Sequence, residues 1–99
     1  MNIPAKRLIT AKVQGIMKTL ENTPASEKKN LVSLELAEDF NQTLKRVSVE
    51  YPDIANTLPK PLSTRGPMTQ LGKASASFLD LEIVCEQLLN LLGLVGESS

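Results

Sequence analysis

The sequence predicts an all-α fold: a small bundle of three main helices at about residues 4–22, 25–50 and 75–93, with a Pro-rich crossover holding a short helix between the second and third. Three observations predict it. Apolar residues recur at intervals of three and four in three segments, the repeat of a helix with one buried face. Aromatics are few, namely Phe40, Tyr51 and Phe78 with no Trp, whereas sheet-rich cores draw on aromatic and β-branched residues. The breaks at Thr23-Pro24 and from Pro52 to Gly72 carry the proline and glycine that punctuate helices. At 99 residues the chain makes one domain, expected over 1–96, with 97–99 a frayed tail.

In the first helix, Ile9, Val13, Ile16, Met17 and Leu20 share one face, and Arg7, Gln14 and Lys18 lie opposite. Gly15 falls on the polar side, where it weakens the helix modestly. Thr23-Pro24 reads as a stop and a restart, with Thr23 as N-cap and Pro24 in the first helical position. So short a joint predicts an antiparallel helical hairpin.

The second helix is expected from about Ala25 to Val49 or Tyr51. Val32, Leu36, Phe40, Leu44, Val47 and Tyr51 line one face, with Ser33 and Ala37 beside them; Leu31, Leu34 and Val49 fall outside it. Pro52 ends this helix. One short helical turn follows to Leu58, with Ile54 and Leu58 facing inward, and Pro59-Lys60-Pro61 is extended. From Pro61 to Gly72 no period of either kind is present. A stretch of that length in a small domain either packs over the bundle, here through Leu62, Met68 and Leu71, or is mobile.

The last helix starts near Ser75 or Ser77. Ser77 with Asp80 three residues on resembles a capping box. Phe78, Leu81, Cys85, Leu88, Leu92 and Val95 alternate in steps of three and four, and Val84, Leu89 and Leu91 widen the apolar face. Gly93 is read as the residue just past the helix end. Leu79 and Ile83 sit on the otherwise polar side with Glu82, Glu86 and Asn90, and a lone small domain has no obvious need of them there.

The absence of histidine removes the usual proton shuttle at neutral pH, together with Ser-His-Asp and Cys-His arrangements and histidine-containing zinc sites. Cys85 is the only cysteine, so neither an internal disulfide nor a thiolate zinc site can form. It reads as a small core residue, and the expected compartment is cytoplasmic. Glu35 with Asp39, and Glu82 with Glu86, are i,i+4 carboxylate pairs on polar faces. Solvated faces account for both. Ser63-Thr64-Arg65-Gly66-Pro67 lacks P-loop spacing. Arg65 is the candidate anion or peptide contact there, against a plain turn at Gly66-Pro67. Leu88-Leu89-Asn90-Leu91-Leu92 matches an L-x-x-L-L docking helix, but Leu88 and Leu92 already belong to the core stripe. No catalytic residue, metal ligand or cofactor is expected.

Net charge is zero, but the charges are unevenly placed. Residues 1–30 carry Lys6, Arg7, Lys12, Lys18, Lys28 and Lys29 against Glu21 and Glu27; residues 74–99 carry Asp80, Glu82, Glu86 and Glu97 with no base. The two ends suit mutual attraction, within one chain or between chains. No stretch is long and apolar enough to span a bilayer, and Lys12 breaks the apolar run that a secretory signal would need. The basic first helix also suits a membrane surface or a targeting presequence, but the second helix offers it a matching apolar face.

The expected function is a non-catalytic helical interaction or assembly module. It would associate with itself, or with another helical protein, through the last helix, with Leu79, Ile83 and Leu91 as contacts and a homo-oligomer as the product. The alternative is a small nucleic-acid-binding regulator using the basic first helix and the start of the second, on Arg7, Lys12, Lys18, Lys28 and Lys29.

Overall fold

A computed structural model describes residues 5–94 of the chain. Three α-helices carry most of it: α1, Ala5–Glu21; α2, Leu34–Glu50; and α3, Phe78–Leu94. A short antiparallel sheet joins β1, Leu31–Ser33, to β2, Lys73–Ser77. Pro4 of the expected first helix, Val95 of the last stripe and the expected tail at 97–99 lie outside the described residues.

α1 forms where its period places it. Ile9, Val13, Ile16 and Leu20 are buried and Met17 packs at their edge. The helix packs on both α2 and α3. Thr19 faces Ser33 and Leu36, Lys12 faces Asp39, and Leu8 faces Thr43 and Arg46. The two helices therefore run antiparallel, as the hairpin expectation required.

The joint between them differs from that expectation. α2 begins at Leu34, not at 25. Thr23 turns its hydroxyl back onto the Thr19 carbonyl at 3.1 Å, serving the end of α1 instead of the start of α2. Pro24 is extended, at ψ 145, and a single 3-10 turn follows at Ala25–Glu27. The chain then straightens into β1. The N-cap of α2 is Ser33, whose hydroxyl accepts from the Leu36 N–H at 3.1 Å, with Glu35 in the first turn. Val32 and Leu36 thus share a helical spacing without sharing a helix. Phe40, Leu44 and Val47 are buried as expected, with Ala37, while Val49 is exposed.

Pro52 ends α2 and opens a 3-10 helix, Pro52–Thr57, from which Ile54 and Leu58 pack against the core. The crossover beyond it is more ordered than its lack of period implied. Asn41 of α2 grips it with both ends of its side-chain amide: Nδ2 donates to the Leu62 carbonyl at 2.9 Å, and the Leu62 N–H donates to Oδ1 at 2.8 Å. Leu62 is buried there, whereas Met68 and Leu71, expected to pack beside it, are exposed. Pro67–Leu71 form a second 3-10 helix, closed by Gly72 in the left-handed conformation that glycine adopts without strain.

The sheet is a hub for helix starts. Its register slips between Leu31, paired with Ser77, and Ser33, paired with Lys73, so β2 bulges. Ala74 and Ala76 point inward with Val32. The Gly72 carbonyl accepts the Leu34 N–H at the start of α2, at 2.7 Å. The Asn30 and Lys28 carbonyls accept the Phe78 and Leu79 N–H groups at the start of α3, at 3.0 and 2.9 Å. The Ser77–Asp80 capping box closes reciprocally at 3.0 and 3.1 Å, which selects Ser77 over Ser75 as the start of α3. Amides that helix ends leave without partners are thereby satisfied. At the other end, Gly93 is helical and lacks a positive φ; it is not the residue past the helix end.

Leu81, Cys85, Leu88 and Leu92 complete the core from α3. The opposed end charges meet within the chain: Lys28 forms an ion pair with Glu82.

Candidate protein-interaction surface

The inner stripe of α3 faces α1, and the helix is apolar on its outer side as well. Leu79, Ile83 and Leu94 are 46%, 47% and 79% exposed. By helical geometry they lie about 180° round from the Leu81–Cys85–Leu88–Leu92 stripe, so no adjustment of α3 can bury both sets against the same neighbour. Leu91, the third contact expected from the sequence, is half-buried on the flank of this face. It lines a shallow groove of ≈ 480 Å³ between the second half of α3, at Gln87, Asn90, Leu91 and Leu94, and the wall Thr57–Lys60. The structure thus brings Leu79, Ile83 and Leu91 onto neighbouring parts of one surface. Leu94 and the wall at Leu58, Pro59 and Lys60 were not foreseen. Leu94 had a legible signal, since it falls on the same helical face as Leu79 and Ile83; the wall had none, because its position depends on the course of the crossover.

Arg65 lies elsewhere, on the crossover. Its side chain is exposed, with no ion-pair partner among the described residues. Its carbonyl does the structural work, accepting from the Ser63 and Ser75 hydroxyls at 3.1 and 2.7 Å. Gly66 beside it has φ +152, and a Cβ there would fall 2.3 Å from the Ser75 hydroxyl oxygen. That geometry is the turn at Gly66-Pro67, which places a backbone carbonyl and not the guanidinium at the centre of the cluster.

The basic residues of the first helix and the following turn are divided. Lys12 pairs with Asp39 at 2.9 Å and Lys28 with Glu82, while Arg7, Lys18 and Lys29 are exposed. The same two pairs split the carboxylate couples, since Asp39 and Glu82 each answer a lysine. Among the described residues no group of three or more His, Cys, Asp or Glu converges as a metal site would require. A groove of ≈ 590 Å³ between α1 and α2 is lined by Lys12, Thr19, Glu35, Leu36, Glu38, Asp39 and Gln42 and is crossed by the Lys12–Asp39 pair.

Cys85 is fully buried, and desolvation pushes its thiol up to about 12. A thiol held neutral at physiological pH is a packing group and a poor nucleophile. Among the described residues no helix is long and apolar enough to cross a membrane. Comparison of the chain with protein-family models, with curated proteins and with solved structures finds no match in any of the three.

Proposed function

We propose that this protein is a non-catalytic helical assembly module that associates with itself by burying the outer face of α3. One observation carries the reading: Leu79, Ile83 and Leu94 stand in solvent on a helix whose opposite face already fills the core. Single exposed apolar residues are ordinary on protein surfaces, but an aligned set beside a groove marks a surface that gains by being covered. The Ser77–Asp80 box and the carbonyls of Lys28 and Asn30 fix the start of α3, so the face is presented on a rigid element. The nucleic-acid reading gains nothing from the fold, since two of its five cations already hold carboxylates.

Sedimentation equilibrium tests the proposal. The expected result is a concentration-dependent mass above that of one chain, reduced to the single-chain mass by Ile83→Lys with an unchanged circular dichroism spectrum. An assembly indifferent to Ile83→Lys would reject this face as the contact.

A further inference from the structure

Between Asp53 and Asp80 the chain bears Lys60, Arg65 and Lys73 and no acid. Within that span, residues 65–73 are exposed at every position except the half-buried Thr69. They form a tip: the second 3-10 helix, Pro67–Leu71, with Arg65 before it and Lys73 after it. Met68 and Leu71 are three residues apart, which in a 3-10 helix sets them on one side, and they are 38% and 69% exposed. Two aliphatic side chains thus stand in water between two cations that form no ion pair among the described residues. The carboxylates at the adjoining start of α2, Glu35 and Glu38, line the groove between α1 and α2 and pair with neither cation. We infer that this tip docks on an anionic membrane surface, with Met68 and Leu71 at the acyl boundary and Arg65 and Lys73 among the headgroup phosphates.

The shape and chemistry of the tip select a lipid surface over a macromolecular partner. A specific protein contact buries about 1,000 Å² or more, and two side chains at the end of a crossover fall well short of that. A bilayer interface is fluid and accepts a small apolar projection, while its anionic headgroups attract the cations beside it. Nucleic acid would answer the cations but leave Met68 and Leu71 against phosphates, and the tip holds no aromatic ring on which a base could stack. The tip also meets much of its own hydrogen-bonding need, which lowers the cost of bringing its backbone towards hydrocarbon. The Gly66 carbonyl accepts from the Thr69 N–H at 3.2 Å and from the Thr69 hydroxyl at 2.8 Å, and the Gly72 N–H donates to the Thr69 carbonyl at 3.0 Å. Ser75 anchors the base of the tip, its N–H donating to the Ser63 carbonyl at 3.0 Å and its hydroxyl to the Arg65 carbonyl at 2.7 Å. The turn is therefore held by the Arg65 backbone, and the guanidinium is left for the headgroups. None of this depends on the outer face of α3.

Co-sedimentation of the full chain with lipid vesicles tests the inference. Binding is expected to vesicles of phosphatidylcholine mixed with phosphatidylserine and not to phosphatidylcholine alone, and it should weaken as salt is raised. Arg65→Gln should lower the affinity about five-fold, the worth of one cation at such a surface. Joint Met68→Ser and Leu71→Ser substitution should lower it further, with an unchanged circular dichroism spectrum because both positions are exposed. The chain has no Trp, so Leu71→Trp supplies the only indole. Its emission should shift to the blue on the anionic vesicles and be quenched by lipids brominated in their acyl chains. Absence of binding to the phosphatidylserine vesicles at low salt would overturn the inference, as would a bound Leu71→Trp chain with no blue shift. Binding undiminished by the joint Met68→Ser and Leu71→Ser substitution would also overturn it, by placing the contact on another surface of the molecule.

Discussion

The two faces of α3 are built from the same residue types and meet opposite surroundings. Leu81, Cys85, Leu88 and Leu92 are buried against the rest of the chain, whereas Leu79, Ile83 and Leu94 are exposed. Hydrophobic side chains are the reason a helix packs at all, and their free energy scales with the area removed from water. The inner face has collected that gain within one chain. The outer face cannot, because a helix offers only one side to a given neighbour. The difference teaches that leucine content alone does not mark a core; the angle round the helix decides which leucines the monomer uses.

The largest effects should fall on the inner face. Leu88→Ala is expected to cost about 2–5 kcal/mol, through lost transfer energy and the cavity left behind. Leu79→Ala, measured by denaturant unfolding at a concentration where the chain is monomeric, should change stability by no more than about 0.5 kcal/mol. Similar costs at the two positions would break the comparison, for they would mean that Leu79 is covered within the monomer.

Thiol chemistry sharpens the same contrast. The Cys85 thiol is pushed up to about 12 from an ordinary 9.0 by desolvation. A proton held more tightly in the folded state stabilises the fold fully below pH 9, and that contribution is lost as pH rises from 9 towards 12, at about 1.4 kcal/mol per unit. The wild-type chain should therefore lose stability above pH 9 more steeply than Cys85→Ala, although the variant is less stable at pH 7. At pH 8 an Ile83→Cys chain should titrate one thiol promptly with an aromatic disulfide reagent and the second only on unfolding. Prompt reaction of both would place Cys85 outside the core.

How far the sequence could be read follows the same division between repeating and single features. The buried faces of α1 and α3 were legible, because each rests on four or more side chains at helical spacing. So were the capping box at Ser77 and the misplaced Leu79 and Ile83. The sheet was not. β1 has three residues, β2 is Lys-Ala-Ser-Ala-Ser, and a strand whose inward residues are alanines leaves little apolar signal. Its energetic role runs largely through backbone carbonyls, which every sequence possesses. Val32 added a false clue by standing four residues before Leu36. Asn41 carried no clue at all, since its grip on Leu62 exists only once α2 and the crossover are adjacent. Asn41→Ala should cost about 1–3 kcal/mol, because it strips the partners from two part-buried backbone groups, the N–H and the carbonyl of Leu62, and should raise amide exchange across the crossover. An unchanged exchange pattern would show that Leu62 is held by its side chain alone.

The smallest effects concern glycines within helices. A Cβ added at Gly15 or at Gly93 meets nothing within 4 Å. Gly15 lies inside α1, so Gly15→Ala should stabilise the chain by about 0.5–1 kcal/mol through helix propensity and a less flexible unfolded state. Gly93 is one residue from the last described position of α3, and its gain should be smaller. The pair bears on the outer face because Gly93 falls just beyond its Glu86 flank, about 70° round the helix from its centre. Neither alanine is expected to alter association. Should Gly93→Ala raise monomer stability and yet weaken the dimer, a second chain must approach the backbone at Gly93. The contact would then be rotated towards Glu86 and away from the groove that holds Leu91.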